Sequence, residues 1–152
     1  GLKHSYDPVL DIYPTTWDAG TFRIEFDVMA QPGADWFFEI RGKGGDFGNG
    51  PYLRWQDSKF VPGLSGKAVP FDVPPNEWMH VTLTATTRTA TTPAKTGTWT
   101  VSLTRQDGEK KGYLTFGAKP TWTSASYMLF SALGTTKTAF FIDNLKLEQV
   151  AP

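Results

Sequence analysis

The 152-residue chain has no cysteine, which excludes disulfides, thiol catalysis and cysteine-ligated zinc. It also lacks a charge surplus, because fifteen Lys and Arg balance fifteen Asp and Glu. A polyanion-binding surface shows as a basic excess, so nucleic acid is not an expected partner. No apolar run approaches the roughly 18 residues of a membrane span, and no signal-peptide pattern is visible. The two histidines, His4 and His80, fall in no metal or nucleophile motif. No stretch carries convincing helical periodicity; short turns near Asn76 or Ser124 are the most the pattern allows. No repeat occurs at a solenoid or propeller period. The chain therefore reads as a mature or excised soluble domain, one unit over 1–152 with a single hydrophobic core.

What is abundant points to strands. Aromatics make up 14% of the chain, as 11 Phe, 6 Trp and 5 Tyr, and there are 20 Thr, 15 Gly and 11 Pro. Aromatic and β-branched residues suit a pleated surface, while Gly and Pro punctuate turns. Thr21 to Ala30 alternates cleanly, with Phe22, Ile24, Phe26 and Val28 on one face and Arg23, Glu25 and Asp27 on the other. The same period of two runs through Asp35 to Arg41, Pro51 to Gln56, Asn76 to Thr86 and Thr98 to Arg105. Phe60-Val61 is expected to close a hairpin, and Lys67 to Val73 to form an edge strand, since Pro70 lacks a donor. Asp107-Gly108 signals a hairpin into Lys111 to Phe116. Tyr127 to Leu133 and Ala139 to Val150 complete about ten strands, the spacing of an all-β sandwich or jelly roll. Trp36, Trp55 and Trp99 fall on the inward parity.

Two segments break the pattern. Gly42 to Gly50 is rich in glycine, but no Gly-Lys-Ser/Thr follows and no helix opens after it, so it reads as a rim loop and not a phosphate loop. In the last strand Phe140 and Ile142 are even while Leu145 and Leu147 are odd. Either a β-bulge sits at Asp143-Asn144, or Asp143 points inward with a partner.

Taken together, FRIEFDV, FFEIRG, EWMHVTLTAT with the later GTWTVSL, and the terminal FFIDNLKL resemble concanavalin A-like lectin/glucanase domains, including laminin G-like and carbohydrate-binding jelly-roll modules. The resemblance spans about Thr21 to Val150. It implies a two-sheet antiparallel β-sandwich with sugar bound on the concave face or its rim. The glucanase branch uses a Glu-x-Asp-x-x-Glu strand whose two glutamates flank the glycosidic bond. Here Glu25 and Asp27 match, but Ala30 stands where the second Glu belongs. A lyase of this shape needs a Tyr or His base and an Arg or Gln against the uronate; Arg41, Arg54, Gln56 and His80 are compatible types. Lectin-like jelly rolls also hold structural calcium, which needs six to eight oxygens; Asp143, Asn144, Asp7, Asp11 and Asp18 are the available ligands. A backbone bond to Asp143 at a bulge is the simpler account of that residue.

Sugars offer apolar C–H faces and hydroxyl edges, so their sites combine aromatic platforms with planar hydrogen-bonding groups. The outward parity collects Glu39, Arg41, Tyr52, Arg54, Gln56, Trp78 and His80 on one surface, provided their strands are neighbours in one sheet. Arg41 and Arg54 would then favour an acidic or sulfated glycan; the competing explanation is a cross-strand ion-pair ladder. Trp17 and Trp122, in loop-like segments, are either ligand platforms or hydrophobic plugs. The expectation is a non-catalytic carbohydrate-binding module of a secreted or periplasmic bacterial glycan-processing protein, with no cofactor beyond a structural calcium. The rivals are a hydrolase or lyase acting on polysaccharide, and a structural domain packing on a catalytic neighbour.

Overall fold

Among the described residues the chain forms eleven β-strands and no helix, and most of the strands follow the alternation of apolar and polar side chains. The computed structural model describes residues 9–14, 18–43, 49–63, 72–88, 97–112, 116–133 and 138–151. The strands are β1 (Val9–Ile12), β2 (Thr21–Ala30), β3 (Trp36–Arg41), β4 (Tyr52–Gln56), β5 (Lys59–Pro62), β6 (Met79–Thr86), β7 (Thr98–Arg105), β8 (Lys110–Gly112), β9 (Phe116–Gly117), β10 (Tyr127–Ala132) and β11 (Phe140–Ala151). They form two antiparallel sheets. One has five strands in the order β1-β10-β3-β4-β5. The other has six, in the order β11-β2-β6-β7-β8, with β9 also on β7. Consecutive strands thus cross repeatedly from one sheet to the other, as in a jelly roll.

The inward residues of the two sheets meet in one core. Phe26 of one sheet packs against Phe38 and Phe130 of the other, with ring centroids 5.5 and 4.9 Å away. Trp36 stacks on Trp55 at 6.3 Å and on Phe140 at 5.2 Å. Trp36, Trp55 and Trp99 are all buried, as their parity requires. Each such side chain contributes about 1.5–3 kcal/mol by leaving water.

Local chemistry sets the connections. Asp57 and Ser58 both take positive φ, 50° and 58°, which is the two-residue hairpin turn whose twist matches its strands. Gly108, at φ 84°, closes the β7–β8 turn with its N–H on the carbonyl of Arg105 at 3.0 Å. The parity break in β11 is a β-bulge: Asp143 pairs with Asp27 and Lys146 with Glu25, so Asn144 and Leu145 together oppose Phe26. Asn144 absorbs the extra residue in the left-handed region at φ 52°. Of the anticipated edge strand at Lys67 to Val73, residues 67–71 lie outside the described residues; Asp72 forms an antiparallel bridge with Lys59. β1, which the alternation did not reveal, completes the five-stranded sheet along β10.

Candidate functional site

The outer face of the five-stranded sheet gathers charge and aromatic rings in one register. Tyr127 of β10 lies opposite Arg41 of β3, Leu129 opposite Glu39, and Glu39 in turn opposite Tyr52 of β4. Phe37 lies opposite Arg54. Although these positions point away from the main core, Phe37, Tyr52 and Leu129 are buried and form a second, small apolar cluster. Phe37 and Tyr52 stack with centroids 5.2 Å apart. Glu39 is fully buried. A buried carboxylate is tolerated only when paired, and Arg41 supplies the pair through Nε at 3.0 Å and a terminal nitrogen at 2.9 Å, both on the same Glu39 oxygen.

Arg41 also reaches sideways. Its guanidinium carbon lies 5.6 Å from the centroid of the Tyr127 ring, a cation–π arrangement. Tyr127 touches Tyr13 at 5.0 Å between centroids and donates its hydroxyl proton to Asp11 at 2.9 Å. Burial, then the bond to Asp11, push the Tyr127 phenol up to about 12, with Arg41 pulling weakly the other way. Tyr13 is 68% exposed, so this end of the face offers an aromatic surface to solvent beside a cation. At the other end Asp35 grips Arg54 in bidentate fashion, accepting from Nε at 2.8 Å and from a terminal nitrogen at 2.5 Å. That hydrogen bond raises the Arg54 pKa, with burial opposing it.

No family model and no curated protein matches the sequence. Solved structures do match in shape. An alginate lyase from Aplysia kurodai superposes with a TM-score of 0.62 at 12% identity, over 90% of this chain and 73% of that one. Lectin II from Ulex europaeus gives 0.57 at 12%, over 84% and 71%. The lactose-liganded congerin II gives 0.54 at 8%, over 92% and 99%. The fold is that of the concanavalin A-like sandwiches.

Within this concanavalin A-like frame, the single platform anticipated from parity divides in two. Glu39, Arg41, Tyr52, Arg54 and Gln56 do share the outer side of β3 and β4. Trp78 and His80 do not join them, because β6 pairs with β2 and β7 in the other sheet. The outer faces of two stacked sheets point in opposite directions, so these residues look out from the far side of the sandwich. Glu39 and Tyr52 are also too buried to serve as an open contact surface. Trp122 is the plug and not the platform: it is wholly buried in the core. A Cβ on Gly50 would come within 2.5 Å of its Nε1, and one on Gly97 within 2.7 Å of its Cε3, so two glycines make room for the ring. Trp17 lies outside the described residues.

The calcium expectation finds no support in the donor set. Among the described residues no three acidic or histidine side chains gather into a metal-holding group. Asp11 accepts from Tyr127, Asp18 pairs with Lys43 at 3.2 Å, and Asp143 is exposed and accepts from the backbone N–H of Asn144 at 2.7 Å. Asp143 therefore serves the bulge, and Asp7 lies outside the described residues. Conversely, sequence reading missed Tyr13, Tyr127 and Asp35. Only the pairing of β1 and β3 with β10 brings Tyr127 to Arg41 and Asp11, and no local spacing encodes that.

Proposed function

We propose that this chain is a non-catalytic glycan-binding module of a secreted or periplasmic bacterial glycan-processing protein, and that it binds on the outer face of the five-stranded sheet. The observation that carries the reading is the exposed Tyr13 ring against Tyr127 with the Arg41 guanidinium over the same ring. A sugar lays its C–H face on such rings and its polar edge on the cation. Arg54 adds a second fork: Asp35 takes Nε and one terminal nitrogen, and the remaining donors match a carboxylate or sulfate. The favoured ligand is therefore an acidic polysaccharide. Alginate lyases and lactose-binding congerin II among the similar folds support a carbohydrate ligand.

A lyase is the second reading, since Tyr127 and Arg41 are the residue types such chemistry needs. The phenol favours binding over catalysis: with its proton held on Asp11 and its pKa raised to about 12, Tyr127 is poorly suited to abstract a proton near neutral pH. Isothermal titration against alginate, polygalacturonate and heparin, with laminarin as neutral control, tests both. Binding of an acidic polymer that weakens about tenfold or more in Arg41→Ala and in the exposed Tyr13→Ala supports the proposal. No binding to any acidic polymer, or equal binding by both variants, overturns it. Release of unsaturated products absorbing in the near ultraviolet replaces it with the lyase.

A further inference from the structure

The six-stranded sheet ends on β11, and no described strand pairs with the far side of that strand. A free edge presents a row of backbone donors and acceptors, which is a template for another strand. Of the five large apolar side chains that are exposed among the described residues, three lie on β11: Phe141, Leu145 and Val150, at 44%, 37% and 56%. We propose that this edge is an interface between two copies of the chain, paired antiparallel about Leu147, so that one sheet runs through both sandwiches.

The charges select both the partner and the register. Leu147 packs against the core, while Lys146 and Glu148 on either side of it are exposed. In a twofold pairing centred on Leu147, Lys146 lies opposite Glu148 of the second copy, and Glu148 opposite its Lys146. Moving the centre by one residue sets Lys146 against itself or Glu148 against itself. Moving it by two leaves neither charge opposite another. Within the chain, Lys146 is already opposite Glu25 of β2 and Glu148 opposite Arg23, and Arg23 and Glu25 form an ion pair. Each row across the joined sheet therefore reads Arg23, Glu148, then Lys146 and Glu25 of the second copy, with the sign alternating at every step. The other charges on β2 and β11 are Asp27 and Asp143, which face each other outside this ladder. His80 and the Asn144 amide hold Asp27, and the Asn144 backbone N–H holds Asp143.

Bulges and edge charges commonly protect a strand from pairing. On β11 the bulge limits the new ladder to Leu145 to Gln149. Charges of both signs, placed symmetrically about Leu147, favour one register and repel its neighbours. A ladder this short buries much less than the roughly 1,200–2,000 Å² of a stable complex, so the dimer is weak and sensitive to salt. Outward side chains meet outward side chains, which puts both sandwiches on the same side of the joined sheet. The two Arg41 faces then look the same way, and one polysaccharide can engage both. That consequence rests on the glycan-binding reading; the pairing does not.

Sedimentation equilibrium of the 152-residue chain, without any glycan, tests the pairing. A monomer–dimer equilibrium with a Kd of about 10 μM to 1 mM at low salt, weakening severalfold in half-molar salt, is the expected result. Lys146→Glu and Glu148→Lys should each weaken self-association at least about tenfold. Mixed together, the two variants restore opposite charges at both contacts and should associate about as well as wild type. In ¹⁵N spectra of wild type, dilution should shift the amides of Leu145 to Gln149. The proposal is overturned if wild type stays monomeric up to roughly 1 mM, if the dilution shifts fall elsewhere, or if the folded variants self-associate like wild type or fail to associate when mixed. The wild-type dilution series decides the matter even if a variant folds poorly. Since no glycan enters the experiment, its failure leaves the acidic-polysaccharide reading standing, and the converse.

Discussion

The two outer faces of the sandwich are built on different rules. On the six-stranded sheet β6 alternates strictly between buried and half-buried positions, with Thr82, Thr84 and Thr86 outside and Val81, Leu83 and Ala85 inside. On the five-stranded sheet the first five residues of β3 are buried whichever way they point. The first face has a half-buried outer side and a buried inner one. The second has a small core of its own, Phe37, Tyr52 and Leu129, next to an ion pair whose carboxylate is buried and whose guanidinium is partly exposed. A sheet face that buries aromatics and a carboxylate on its outer side holds its arginines in fixed positions, and preorganised polar groups lose little entropy on binding a ligand.

The largest test of this difference compares one outer residue from each sheet. Phe37→Ala should cost about 3–5 kcal/mol, the range for an aromatic deleted from a core, although Phe37 points away from the core. Thr84→Ala should stay within about 0.5 kcal/mol, as for a surface position. Urea unfolding with unchanged m-values measures both. Near-equal costs would show that the two faces do not differ in kind.

How much of this was readable beforehand follows the same division. Alternation located β2 and β7 to the residue, and it put Phe22, Val81 and Val101 inside, because a half-buried strand writes its burial into every second position. The parity break at Asp143-Asn144 marked the bulge for the same reason. Where a strand is buried on both faces, alternation carries no information about the outer side, so parity alone presents Glu39 and Tyr52 as open although both are buried. Sheet membership was also invisible. Trp78 has the right parity for a platform, but pairing between distant strands decides which side of the sandwich it occupies. Tyr13 and Tyr127, 114 positions apart by their numbering, meet only through the β1–β10 ladder.

A smaller effect probes the bulge that supports the six-stranded face. Asn144 sits at φ 52° and bonds Asp27 through its side chain. Asn144→Ala puts a residue that disfavours the left-handed region at that position and removes the amide, so a loss of about 1–2 kcal/mol is expected. Asn144→Gly relieves the backbone and should recover part of it. If alanine and glycine behave alike in thermal melts, backbone conformation is not what the asparagine supplies.

The smallest effect is electrostatic and belongs to the five-stranded face. Tyr127 is raised to about 12 first by burial and then by its bond to Asp11. Asp11→Asn removes the charge but keeps the shape of the side chain. The phenol should then ionise at a pH between about 12 and the ordinary value of about 10, because burial persists while the carboxylate is gone. The sign for stability follows. A phenol raised above its unfolded value gives its full contribution below the unfolded pKa, and loses it as the pH climbs through the folded one. Wild type should therefore lose this increment across alkaline pH, and Asp11→Asn should lose less. A ¹³C-tyrosine titration separates Tyr127 from the other four tyrosines. An unchanged titration in Asp11→Asn would mean that β1 does not hold Asp11 against the ring in solution, and the platform made by Tyr13, Tyr127 and Arg41 would lose the bond that fixes its outer edge.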